Sequence, residues 1–227
     1  MDNLLLRQLA ARPRPVRAGI SGAGRYTTGL LCQARHIPGL DIVAISDADN
    51  RYAEEALRLA GYEAEAYQRA DRTGQAHNAL QAGKIAVCED PRMLTMLDMD
   101  VLVEASGRPE LAAELAYSAI HAGMHVVMVT IEADVAVGPV LRRHAQNNGV
   151  IYTLADGDQP SIAKGLYNWA DTLGLNVTVL GKWSGVYTEE EAERCSREGD
   201  GKLRNSDIAY LDGSKNQMEM ACIELFY

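Results

Sequence analysis

The sequence of 227 residues predicts an α/β fold, a doubly wound parallel sheet followed by a partial, smaller α+β substrate domain. Short apolar runs alternate with segments of helix length, and right-handed crossovers of that kind feed a parallel sheet. Several of the helical segments close on a glycine, the residue that most easily turns out of a helix. The first strand-to-helix turn carries Gly22-Ala23-Gly24, and the next apolar run ends in an acid, Asp47.

The chain opens on a short amphipathic helix that ends at Arg12-Pro13-Arg14-Pro15 and lies against the body of the domain. The stretch 17–47 then reads strand, glycine turn, helix, strand, acid. Gly22 stands where the chain must turn sharply, and Gly24 where the backbone must approach a pyrophosphate at a helix N-terminus. The third glycine of this pattern is replaced by Thr27, which asks the helix to sit slightly farther from the first strand. Asp47, roughly 20 residues past the turn, is placed to accept hydrogen bonds from an adenosine ribose. A Rossmann dinucleotide site follows, as against an ordinary strand-to-helix turn that binds nothing.

Asn50 can cap a helix over 51–60 that Gly61 ends, and a second helical piece, 73–82, closes at Gly83 before the strand 85–88. Residues 100–107 hold an apolar core too short for a helix, which reads as a buried strand. Pro109 starts a helix over 110–122, Gly123 ends it, and 125–130 is the next strand. A helix over 139–148 precedes a strand over 150–154. Ligands of such sheets bind at the carboxyl ends of the strands, which directs attention to 22–25, Asp47, 105–107, 130–132 and 156–159.

From Asp156 the character changes, so the domain boundary is set at 1–155 and 156–227. Ser161 caps a helix to Leu173, 177–180 reads as a strand, 188–205 as a charged, mobile surface loop, and 217–225 as a helix. An apolar end directly after a helix suggests a fragment or a truncated second domain.

Bulk properties narrow the class. Apolar content of 47% with 23% charged residues is ordinary for a soluble globular chain, and a net charge of -9 argues against a broad grip on nucleic acid. No apolar run is long enough to span a bilayer, and the start lacks a secretory pattern. The four cysteines are scattered without Cys-x-x-Cys spacing, and the five histidines show no paired spacing. They read as buried free thiols in a reducing cytoplasm and as no metal site.

The motifs Gly22-Ala23-Gly24, Val103-Glu104-Ala105-Ser106-Gly107, 122–129, Glu132-Ala133-Asp134 and 155–160 resemble the homoserine dehydrogenase-like oxidoreductases. The closer branch often carries a C-terminal SAF domain and includes 1-deoxy-D-xylulose 5-phosphate reductoisomerase-like enzymes. The resemblance covers nearly the whole chain. It implies an NAD(P)-dependent enzyme, a small-molecule substrate and a homo-oligomer. Two departures stand out: Thr130-Ile131-Glu132 replaces the Asn-Lys pair that homoserine dehydrogenases place after this strand, and the SAF-like region lies outside the sequence.

On that resemblance Gly22, Ala23, Gly24, Arg25, Tyr26, Asp47, Ala105, Ser106, Gly107 and Thr130 form the cofactor set. Asp47 favours NAD, while Arg25 and Arg51 offer cations that suit the extra phosphate of NADP. Reduction of a carbonyl develops negative charge on oxygen, which an ammonium can stabilise and protonate. Lys215 in Asp212-Gly213-Ser214-Lys215 is the first candidate, with Asp212 to orient it, and the matching family segment reads Asp-Gly-Thr-Lys. The alternative is a turn lysine facing solvent. Lys182 could hold a substrate carboxylate or phosphate, and Glu132, Asp156 and Gln159 could line the substrate cleft or serve only in turns. The competing functions are reductoisomerase chemistry on a sugar phosphate, with Lys182 or Lys202 at the phosphate and a divalent metal, and a cofactor-binding sensor without catalysis.

Overall fold

The computed structural model describes residues 4–182, 188 and 213–225. Asp212, Cys195, Lys202 and the expected loop beyond Thr188 lie outside the described residues. The chain divides into two compact units, Met1–Ala133 with Val137–Thr153, and Asp134–Ala136 with Leu154–Tyr227.

The first unit is built on a seven-stranded sheet: β1 (Val16–Ser21), β2 (Leu40–Ser46), β3 (Tyr67–Arg69), β4 (Ile85–Cys88), β5 (Val101–Glu104), β6 (His125–Met128) and β7 (Tyr152–Leu154). The spatial order is β3-β4-β2-β1-β5-β6-β7. The pairings of β1 with β2 and β5, of β4 with β2 and β3, and of β5 with β6 are all parallel. The sheet winds one way from β1 and then the other, so the expected doubly wound Rossmann order is present, with the switch point between β1 and β5.

Seven helices alternate with these strands or follow them: α1 (Leu4–Ala10), α2 (Arg25–Ala34), α3 (Asn50–Leu59), α4 (Thr73–Gln81), α5 (Pro109–His121), α6 (Ile131–Asn147) and α7 (Gln159–Thr172). The central strands are largely apolar because helices cover both faces, as in β4, where every residue is buried. Ile20, Ile45 and Leu102 from the sheet and Leu31, Leu57, Leu115 and Ile120 from the helices are fully buried. Each contributes roughly 1.5–3 kcal/mol. Exposed pairs such as Arg69–Glu54 and Arg92–Glu114 contribute ~0–1 kcal/mol each, so the core rather than the charged surface holds the unit together. The segment after α1 is tied down at Asp100, which accepts both Arg14 guanidinium nitrogens, at 2.9 and 2.7 Å, and the Arg17 N–H at 2.9 Å.

Three helix boundaries need correction, and one strand carried no sequence signal. Asp49, not Asn50, caps α3: its side chain accepts the Arg51 N–H at 2.9 Å, while Asn50 is buried and its amide donates to Glu89. Asp158, not Ser161, caps α7 by accepting the Gln159 N–H at 2.8 Å. The helix expected from Pro139 begins at Ile131 and carries Pro139 inside it. A proline there lacks the N–H that would bond four residues back, yet the flanking turns are kept by buried Ile131, Ala133, Leu141 and Ala145. The short strand β3 had no signal because Gln68 and Arg69 are exposed on the sheet edge.

In the second unit α7 is followed by α8 (Ser214–Leu225). The strand expected over 177–180 is absent: the residues form no ladder, and Val179 is 84% exposed. Beyond Leu154, the described residues of this unit form helices and irregular chain.

Candidate functional site

Most of the residues expected to hold the cofactor lie at the carboxyl ends of β1, β2 and β5. Gly22 has φ +92, and its N–H donates to Ser46 O at 2.7 Å. A Cβ on Gly22 would come within 2.6 Å of Ser106 Cα and closer still to Ala105 O. The first glycine therefore serves a sharp turn and a backbone-to-backbone approach at once. Gly24 is the N-cap of α2 and gives it no side-chain bond, and a Cβ there would meet nothing within 4 Å. The open space and a helix N-terminus without a side-chain cap are what a pyrophosphate needs.

Thr27 does more than fill the third position. It is fully buried, and its hydroxyl donates to Gly22 O at 2.6 Å. The side chain that displaces a glycine thus ties the helix back to the turn. Asp47 accepts the Ala23 N–H on Oδ2 at 2.8 Å and the Asp49 N–H on Oδ1 at a longer 3.4 Å. It pins the glycine loop, and Oδ1 is the less committed oxygen for a ribose hydroxyl. Arg25 and Tyr26 are exposed at the start of α2. Arg51, considered for a 2′-phosphate, is engaged by Asp49, whose carboxyl it lowers to about 2 through hydrogen bonds from its side chain and backbone.

On the other side of the switch point, Ala105 N–H donates to Ser21 O at 2.8 Å and Gly107 N–H to Thr130 Oγ1 at 3.1 Å. These contacts join the ends of β1, β5 and β6. A cleft of about 610 Å³ opens above them, with Gly22, Asp47, Asp90, Ser106 and Arg108 among its lining residues. The turn, the open Gly24, the acid and the cleft together fit NAD(P).

A second constellation lies within the second unit. Lys182 pairs with Glu219 of α8, and their side chains are 13% and 1% exposed. Burial pulls the Lys182 ammonium below the usual lysine range; Asp158 opposes the shift, and the positive charge of Lys215 adds to it. Cys222, one turn beyond Glu219, is pushed up to about 12, first by burial, then by the charge and hydrogen bond of Asp134, with Asp158 adding and Lys215 opposing. The structure thus brings the two lysines singled out from the sequence, Lys182 and Lys215, into one electrostatic neighbourhood with Asp134, Asp158 and Glu219. Asp134 and Asp158 fall in segments already singled out from the sequence, and Glu219 carried no sequence signal.

The remaining candidates are more scattered. Asp156 is exposed and accepts the N–H of Gly157 at 2.9 Å, and Gln159 is exposed at the first position of α7. Glu132 is half-buried in the first turn of α6. Among the described residues no group of three or more His, Cys, Asp or Glu side chains could hold a metal ion, and no helix is long and apolar enough to cross a membrane.

Residues 24–155, more than half of the chain, match the family model described as homoserine dehydrogenase, NAD binding domain. The chain belongs to that family. The match makes this region an NAD-binding oxidoreductase domain, in keeping with the glycine turn and cleft. Residues 157–224 match a second model, oxidoreductase DRL, catalytic domain. No curated protein sequence matches the chain.

Similar solved structures include an NAD binding oxidoreductase from Klebsiella pneumoniae, with 19% identity over 70% of this chain and 39% of that chain at a TM-score of 0.50. A probable dehydrogenase from Thermotoga maritima shares 18% identity over 70% of this chain and 41% of that one, with a TM-score of 0.50. An oxidoreductase from Agrobacterium radiobacter, solved with NAD+, L-tartaric acid and magnesium, shares 12% identity over 68% and 40% of the two chains, again at 0.50. At these identities the likeness establishes the fold. The chain spans about two fifths of the length of these structures, 39–41%.

Proposed function

We propose that the chain supplies the cofactor-binding and proton-donating parts of an NAD(P)-dependent oxidoreductase that acts on a small polar carbonyl or hydroxy compound. The observation that carries this reading is the paired, partly buried Lys182–Glu219 with Lys215 nearby, inside the segment that matches a catalytic domain. When bound, the dinucleotide supplies or accepts the hydride. Lys215 stabilises the negative charge that develops on the carbonyl oxygen and delivers a proton to it, and solvent restores that proton. Glu219 holds Lys182 in place, so that a second ammonium can orient the substrate.

Two ammonium groups among three carboxylates leave the cluster with one net negative charge. That balance suits an uncharged carbonyl or hydroxyl group better than a dianionic phosphate, and it ranks reductoisomerase-like chemistry on a sugar phosphate second. In the cofactor cleft Asp47 and the engagement of Arg51 by Asp49 favour NAD over NADP. A homo-oligomer and a cytoplasmic location belong to the same reading; the exposed stripe Ile162, Leu166 and Trp169 on α7, continued by its C-cap Leu173, supports the former, and Cys32, Cys88 and Cys222, none of them in a disulfide, suit the latter.

The test is a panel of homoserine, other small hydroxy acids and sugar phosphates, followed at the NAD(P)H absorbance. Turnover of a hydroxy or carbonyl compound that collapses in Lys215→Ala, with NADH affinity intact, is the expected result. Turnover of sugar phosphates alone would reverse the order of the two readings, and NADH binding without turnover of any compound would favour a sensor.

A further inference from the structure

Glu104 ends β5 directly beneath the cofactor cleft, and its side chain is fully buried. Oε1 accepts the Ser106 N–H at 3.0 Å and the Ser21 hydroxyl at 3.4 Å, while Oε2 is buried without a hydrogen-bond partner. The groups that act on this carboxyl are the hydroxyls of Ser106, Thr130 and Ser21 and the Ser106 N–H; none of them is a cation, and burial outweighs them, pushing the carboxyl above the usual glutamate range. They come from each segment packed around it: the end of β1, the turn after β5 and the residue before α6. The charged residues of the cleft above include Asp47, Asp90 and Arg108. A buried carboxylate with no cation is costly, and the neutral acid avoids that cost.

The position matters because Ser106, whose N–H Glu104 holds, lines the cleft and packs against Gly22. Glu104 therefore supports from below the two backbone segments that a diphosphate must meet. We propose that Glu104 is a positioning residue of the dinucleotide site, which acts as a neutral carboxylic acid and weakens cofactor binding when it ionises. An ionised Glu104 would set a negative charge against the Ser106 backbone that lines the cleft, where it repels an anionic ligand. By linkage, what disfavours the ion in the complex disfavours the complex when the ion forms. The sign is fixed: affinity is full while Glu104 is protonated and is lost as pH rises through its raised value.

This inference rests on the dinucleotide lying in this cleft. It is tested by titrating the full chain with NADH, read by nicotinamide fluorescence, from the unperturbed glutamate range, about pH 4.5, up to about pH 9, for the natural protein, Glu104→Gln and Glu104→Ala. The expected result is a dissociation constant that rises about tenfold with pH in the natural protein. Glu104→Gln, which keeps the shape and cannot ionise, should hold the low-pH affinity throughout. Glu104→Ala should bind weakly at every pH. An equal slope in the natural protein and Glu104→Gln, or no slope in the natural protein, overturns the proposal. So does natural affinity in Glu104→Ala; if that variant does not fold, the Gln comparison decides alone. A natural protein that binds no NADH at any pH would instead overturn the cofactor reading itself.

Discussion

The cofactor cleft and the charged cluster of the second unit solve opposite problems. In the cleft the polar work is done by backbone and hydroxyl groups: Gly22 and Ser106 meet main chain to main chain, Ala23 and Gly107 donate their N–H groups, and Thr27 and Thr130 tie loops together. In the cluster it is done by full charges on long side chains, Lys182, Lys215 and Glu219, set on and before α8. A pre-formed backbone surface is suited to hold a large ligand of constant shape. Half-buried ammonium groups are suited to meet charge that exists only during a reaction.

That contrast can be broken at either end. Lys215→Ala has the largest expected effect, a loss of turnover of about 10²–10⁴-fold, while NADH affinity measured by fluorescence stays within error. An equal loss of NADH affinity would erase the division of labour. Glu219→Ala leaves the Lys182 ammonium buried without its partner and should cost about 3–5 kcal/mol of stability in urea unfolding; Glu219→Gln should cost less because it keeps a hydrogen-bond acceptor. A wild-type unfolding curve for Glu219→Ala would mean that the pair is dispensable to the fold. Gly22→Ala places a methyl group against Ala105 and Ser106 at a positive φ, and a cost of about 1–3 kcal/mol is expected, with weaker NADH binding and little change in any intrinsic reactivity of the cluster. Thr27→Val removes one buried hydrogen-bond donor and should cost about 1 kcal/mol, with Thr27→Ser recovering most of it; a neutral Val would show that the hydroxyl bond to Gly22 is incidental.

The two regions were not equally legible in the sequence. The turn at Gly22, the open approach at Gly24, the place of Asp47 after β2 and the parallel strands other than β3 could be read because the constraints on them are local: a turn, an open approach, an apolar run of a given length. The cap at Asp49 and the early start of α6 were misplaced by one and eight residues because Asn50 and Pro139 are equally plausible local signals, and tertiary burial decided between the alternatives. Glu104 and Glu219 looked like ordinary acids, since nothing in the chain around them announces complete burial. Lys215 came from a family resemblance. Lys182 stands two residues beyond a stretch that reads as a strand and does not form one, and its place beside Glu219 depends on a helix more than thirty residues later.

The bond from Ala23 to Asp47 bears on redesign. Specificity switches in dinucleotide enzymes are commonly sought by exchanging the acid for a small or basic residue, but here the acid is also the clasp of the glycine loop. Removing it entirely would loosen the floor of the site at the moment the pocket was widened. Asparagine offers a different route, because its carbonyl can still accept the Ala23 N–H while the negative charge is gone. An engineer who wants NADP should start from that exchange and add the cation afterwards, so that the clasp is never opened.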